Sequence, residues 1–271
     1  MEKPGYGSVA RLCIVSPRGE EVYLAAAVAL VLMYAVPIVL QLCGLEGLAR
    51  LLLGEDGVYE YLGALLCLAA SALFLAAYVR FPARRKKGAS GARRNIFFLL
   101  LTLALFCLFG EEISWGQRLL GLQTPEFIGE FNVQRELTVH NLEWFQRPAC
   151  NLLGVNLTRL ANLYLALSIV VLAFPTFGRL VASVCIPVAS IRVALMVIAN
   201  RLLHAFAMGL FGAPKGSADI YRMGEIFETN VEALFFIFAL ELYLSLRQHR
   251  CEEDELGGAL TPGSPLPGMP S

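Results

Sequence analysis

The chain has 271 residues, with 22 Lys+Arg balanced by 22 Asp+Glu, three His and a formal net charge of zero. Hydrophobic residues make up 57% and charged ones 16%, where soluble domains hold about 45–50% and about 25%; mean hydropathy is +0.62. That balance excludes a disordered chain, a basic nucleic-acid binder and an ordinary soluble enzyme. The seven cysteines contain no CxxC pair and several lie inside apolar runs, so they form neither a disulfide framework nor a zinc ribbon. The composition is that of an all-α, polytopic integral membrane protein.

A helix needs roughly 20 mostly apolar residues to cross a hydrocarbon core about 30 Å thick. Six stretches are expected to do so: Tyr23–Leu45, Tyr59–Val79, Ile96–Ile113, Leu160–Phe177, Ile191–Phe211 and Glu225–Leu246. The first is too long for a signal peptide and lacks a small-x-small cleavage site, so it is taken as a retained span. Residues 1–250 are expected to form a single helical transmembrane domain. Residues 251–271, acidic at first and then rich in Pro and Gly, suggest a disordered cytoplasmic tail.

Orientation follows from the Lys/Arg count. With the N-terminus inside, the inner segments carry twice as many Lys and Arg as the outer ones, chiefly through the run Arg80–Arg94. Both termini are therefore expected in the cytoplasm and the protein in the cell membrane.

With that topology, ionisable residues gather at one depth in the outer leaflet. Glu60 opens the second span, Glu111 and Glu112 end the third, and Arg201 and His204 lie in the second half of the fifth. Glu225, Glu228 and Glu232 stand at i, i+3 and i+7 on the sixth, one stripe of a helix. Like charges so placed need a proton or a cation between them. Glu111, Ser114 and Arg118 have the same spacing, and Gly116 would allow a neighbouring helix or a substrate to approach closely. Charges within a bilayer cost roughly 2.5–3.5 kcal/mol each at mid-span, so they usually face the bundle interior, paired or functional. Trp115, Trp144, Tyr59, Tyr61 and Tyr221 fit an interfacial aromatic belt.

The outer segment after the third span alternates apolar Phe127, Ile128, Phe131, Leu137 and Leu142 with polar residues, as one or two short amphipathic helices would. Thr124 before Pro125 and Glu126 suggests a helix start. Glu136 and His140 stand at i, i+4, a spacing that puts carboxylate and imidazole on one metal ion. Asn132, Gln134 and Asn141 are amides available to orient such ligands. The candidate catalytic residues are thus Glu111, Glu112, Glu136 and His140. The supporting set is Gln117, Arg118, Asn132, Gln134, Asn141, Arg201, His204, Glu228 and Glu232. Glu112, Glu136 and His140 are the candidate ligands of a divalent metal such as Zn, Mn or Fe.

The string Gly110-Glu-Glu-Ile-Ser-Trp-Gly-Gln-Arg118, with Thr124-Pro-Glu126, Asn132-x-Gln134-x-Glu136 and His140-Asn141, resembles a signature of uncharacterised bacterial polytopic membrane proteins. The resemblance implies that these polar residues form one unit and brings no activity with it. The chain also resembles, more distantly, membrane-embedded proteases of the CAAX-processing type, which pair EExxxR with FxxxH and HxxxN/D. It departs from them at Arg118, two residues late, and at Asn200, four before His204 where that family has Phe.

Three readings follow. One is a membrane-embedded enzyme, metal-assisted or not, acting on a lipid or lipid-linked substrate at the outer leaflet. Another is a transporter of protons, cations or a small solute. The last is a structural protein whose acids pair with Arg118, Arg135, Arg201 and Arg222. Membrane lipids are the expected partners and nucleic acid is not.

Overall fold

The computed structural model describes residues 20–54, 57–81, 94–132, 135, 137–138, 157–211 and 218–259. Among these the secondary structure is helical, with no strand. Among the described residues four stretches are long and apolar enough to cross a membrane: Glu21–Leu42, Glu46–Arg80, Ile191–Gly209 and Met223–Cys251. The chain is an all-α membrane protein.

Helix α1 covers Glu20–Leu42 and is apolar around its whole circumference, as a helix surrounded by lipid and other helices must be. A turn at Gly44, in the left-handed region at φ 74°, leads into the short α2 (Glu46–Leu53). Helix α3 (Val58–Arg80) returns across the bundle. Helix α4 (Ile96–Glu112) starts at Asn95, whose side chain accepts the Phe97 N–H at 3.0 Å and donates to the Cys185 carbonyl at 2.8 Å. At 17 residues α4 rises about 26 Å, slightly less than the hydrocarbon core.

The end of α4 departs from the expected regular helix. Ser114, Trp115 and Gly116 all have positive φ (46°, 53° and 78°), so the chain leaves the α4 axis immediately after Glu112. The proposed i, i+3, i+7 stripe through Glu111, Ser114 and Arg118 therefore does not form. Gly116 serves the turn, and only Leu120 would touch a Cβ there, so it provides no close helix approach. Two four-residue helices follow, α5 (Gln117–Leu120) and α6 (Glu126–Gly129). Pro125 stands at the α6 cap position, while the Thr124 hydroxyl donates to the Arg135 carbonyl at 2.5 Å instead of capping. Leu120, Leu122, Phe127 and Phe131 are exposed along this segment, in keeping with an amphipathic surface stretch.

The expected fourth span is broken into α7 (Leu157–Leu165), α8 (Leu167–Ala173) and α9 (Pro175–Ser183). Pro175 cannot donate a backbone bond and drives the preceding Phe174 out of helical geometry, to φ −124° and ψ 87°. At Ala166 an Ile169 N–H to Ala166 carbonyl bond of 3.0 Å tightens the chain into a break. Helix α10 (Ile191–Phe211) begins after Ser190, whose hydroxyl accepts the Val193 N–H at 3.3 Å. Helix α11 (Ala218–Ala259) is continuous for 42 residues. It runs on past Cys251, so no helix end marks the expected start of the tail; residues 260–271 lie outside the described residues.

Helix α11 is the axis of the bundle. It packs chiefly on α3 and then on α10, and α3 in turn packs on α4. Phe74, Phe238, Leu105, Leu234 and Leu242 are fully buried in its middle. Phe74 and Phe238 meet edge to face with centroids 5.4 Å apart.

Candidate functional site

Glu232 lies on the face of α11 turned toward α3 and is 9% exposed. Its carboxyl sits over Gly63, where a Cβ would collide with Oε2. One turn further along α3, the Cys67 thiol approaches Oε1 at 3.7 Å. Gly63 and Cys67, at i and i+4, thus form a notch in α3 that receives a side chain from the neighbouring helix.

Glu232 is not isolated. Glu112, at the end of α4, is a charged neighbour of this carboxyl, as are Glu228 and Glu225 on its own helix; Glu112 also neighbours Cys67. Two helices, α4 and α11, therefore bring carboxyl groups near the α3 notch. The set grades from exposed Glu228 through half-buried Glu112 and Glu225 to buried Glu232. The α11 stripe read from sequence is present as a stripe.

Beyond Glu112 the left-handed turn folds Trp115 back over Gly110, where an added Cβ would lie 2.7 Å from the indole ring. The Trp115 indole N–H donates to Glu111 Oε1 at 2.9 Å. Non-glycine residues at positive φ cost of order 1–3 kcal/mol each and persist where surrounding contacts over-determine them. Buried Gln117 supplies such contacts. Its Oε1 accepts the Leu137 N–H at 2.7 Å and its Nε2 donates to Thr124 Oγ1 at 2.5 Å. Buried Asn132 donates to the Thr138 carbonyl at 2.7 Å. Gln117 and Asn132, expected to support a ligand, bond within the segment that follows α4.

A second polar cluster lies between α1, α10 and α11. Asn200 is fully buried; its Oδ1 accepts from the Tyr34 hydroxyl at 3.0 Å and from Asn230 Nδ2 at 3.2 Å, and its Nδ2 donates to the Phe227 carbonyl at 3.3 Å. One turn on, His204 bonds to the Met223 backbone and packs on Phe227 at 4.8 Å, leaving Nδ1 without a partner among the described residues. Arg201 is exposed, with its guanidinium 5.4 Å from the Phe227 ring centroid. The expected gathering of His204 and Arg201 with the acids is thus two adjacent clusters, one acidic and one amide-rich.

Near the opposite end of the bundle, buried Glu241 accepts through Oε1 from the Tyr23 hydroxyl and from Ser190 Oγ, the latter at 2.8 Å. It faces the start of α10, where a helix dipole favours an anion. The apolar layer of Phe74, Leu234 and Phe238 separates it from Glu232.

The side chain of Arg118 and all of Gln134, Glu136, His140 and Asn141 lie outside the described residues. The suggested metal set of Glu112, Glu136 and His140 is therefore represented by Glu112 alone. Among the described residues no group of three or more His, Cys, Asp or Glu is placed to hold a metal ion. Tyr59, expected in an interfacial belt, is buried and donates to the Met33 carbonyl at 3.2 Å. Gly63, Cys67, Tyr34 and Asn230 were not foreseen: their roles depend on how helices are rotated against one another, and a uniformly apolar helix carries no periodic signal for that. No protein-family model, curated protein or solved structure matches this chain.

Proposed function

We propose that this protein is a membrane-embedded enzyme that performs acid–base chemistry on a lipid or lipid-linked substrate, with its site in the outer leaflet of the cell membrane. The observation that carries the reading is Glu232, a carboxyl buried in a notch of α3 with Glu112 among its charged neighbours. A buried carboxylate among carboxylates is costly unless a proton or a cation is shared between them. Ionisable groups kept inside a membrane bundle in this way are functional by default. Two carboxyl groups in one water-poor site supply a proton donor and a proton acceptor, the pairing that general acid–base catalysis uses. Glu112 and Glu232 take those roles, Glu228 and Glu225 face the headgroup side, and Glu136 and His140 are candidates to complete the site from the segment that follows α4. The apolar layer around Phe74 and Phe238 favours a site closed on one side over a path through the bilayer.

The test is reconstitution of the full chain in vesicles of total polar lipid, with lipid species followed by mass spectrometry and proton flux by an entrapped dye. Lipid species that change with wild type and not with Glu232→Gln are expected. An unchanged lipid profile together with Glu232-dependent proton flux would replace the enzyme by a transporter.

A further inference from the structure

A groove of about 230 Å3 runs between α1, α3 and α11 beside the Glu232 notch. Its walls are Ala29, Met33, Leu62, Leu66, Ala233 and Ile237, and Thr229 and Asn230 provide its polar positions. All three helices belong to membrane-crossing stretches, and the side chains flanking the groove, such as Leu32 and Leu65, are exposed. The groove therefore opens to the bilayer, where hydrocarbon rather than water is the medium. Leu62 and Leu66 bracket Gly63 on α3, and Ala233 follows Glu232 on α11, so the groove and the acid site share two helices.

Arg201 follows Asn200, whose side chain accepts from Asn230 of the groove wall. The Phe227 ring beneath its guanidinium is one turn of α11 from Asn230, and Arg201 acts electrostatically on Tyr34, the neighbour of Met33. No salt bridge joins Arg201 to a carboxylate among the described residues. An exposed arginine within a span is expensive unless an anion meets it, and guanidinium binds phosphate through paired hydrogen bonds.

We propose that the groove holds one acyl chain of a phosphate-bearing lipid whose headgroup phosphate is bound by Arg201. This rests on the reading of the Glu232 site as acting on lipid, and names the substrate class. The chain end points toward Ile237 and the phosphate toward Phe227, which brings the headgroup to the level of Glu228 and Glu232.

The full chain in phosphatidylcholine vesicles, doped with phosphatidylglycerol carrying a diazirine on one acyl chain, provides the test. After photolysis, labelled peptides are mapped by mass spectrometry. Labelling is expected to concentrate on the segments holding Met33, Leu66 and Ile237. It should fall at least fivefold in Ala233→Phe, and also in Ala29→Phe, which fills the groove from its exposed rim and perturbs folding less. Arg201→Gln is expected to lower labelling by phosphatidylglycerol and leave labelling by the matching diacylglycerol unchanged. Competition by inorganic phosphate without acyl labelling would show a free-phosphate site and overturn the lipid. Labelling spread evenly over all lipid-facing helices and unmoved by both fillings would overturn the groove. Neither outcome touches lipid turnover that depends on Glu232, so the two proposals fail separately.

Discussion

The carboxyl of Glu232 occupies the space that a side chain at Gly63 would fill. A single missing Cβ on α3 thereby sets how deep an acid of α11 can sit. Gly63→Ala is expected to expel the carboxyl, at about 1–3 kcal/mol of stability as for other overpacked cores, and to reduce turnover as far as Glu232→Gln does. Shortening the acid by one methylene, in Gly63→Ala with Glu232→Asp, should recover the melting temperature in detergent. If the double variant melts lower than Gly63→Ala alone, the notch is misassigned.

Asn200 ties three helices through one amide. Replacing it by Ala removes one acceptor from the Tyr34 hydroxyl and the Asn230 amide and one donor from the Phe227 carbonyl. The expected loss is about 1–3 kcal/mol. A cycle with Tyr34→Phe should give a coupling of about 0.6 kcal/mol, near the average for hydrogen bonds between membrane helices. Zero coupling would contradict the Tyr34–Asn200 bond.

Phe238 fills the layer between the two polar ends of α11. Phe238→Ala is expected to cost about 3–5 kcal/mol, as other large-to-small core changes do, read as a fall in melting temperature. It should also raise proton leakage through reconstituted vesicles, because the Phe74–Phe238 contact closes the bundle at mid-height. An equally stable and equally tight variant would remove the argument against a conducting path.

Much of this was legible in the sequence. Spans such as Ile191–Phe211 and the start of α11 declare themselves by hydropathy, and the Glu225–Glu228–Glu232 stripe needs only the helical repeat. What failed were places where one residue breaks a run. Pro175 ends α8 inside an apolar stretch, and Ser114 and Trp115 adopt left-handed geometry that neither residue type advertises. Gly63 was invisible for another reason: glycine is ordinary in membrane helices, and only the neighbour's carboxyl gives it meaning.

Gln117 ties the segment after α4 together with both ends of its amide. Gln117→Glu removes the donor to Thr124 and keeps the acceptor for Leu137, whereas Gln117→Leu removes both. Proteolysis between α5 and α7 is expected to accelerate modestly in the first and strongly in the second. Equal rates in wild type and both variants would show that the segment is held by other contacts.

If Glu112 and Glu232 act as a pair, their effects on lipid turnover must not add. Residues of one catalytic unit are strongly non-additive, while independent sites add. The decisive measurement is turnover by Glu112→Gln, Glu232→Gln and the double variant, each at equal folded protein in the same vesicles. The double variant is expected to be no slower than the slower single variant. Losses that multiply would mean that the two carboxyls serve separate places, and the shared site would be lost.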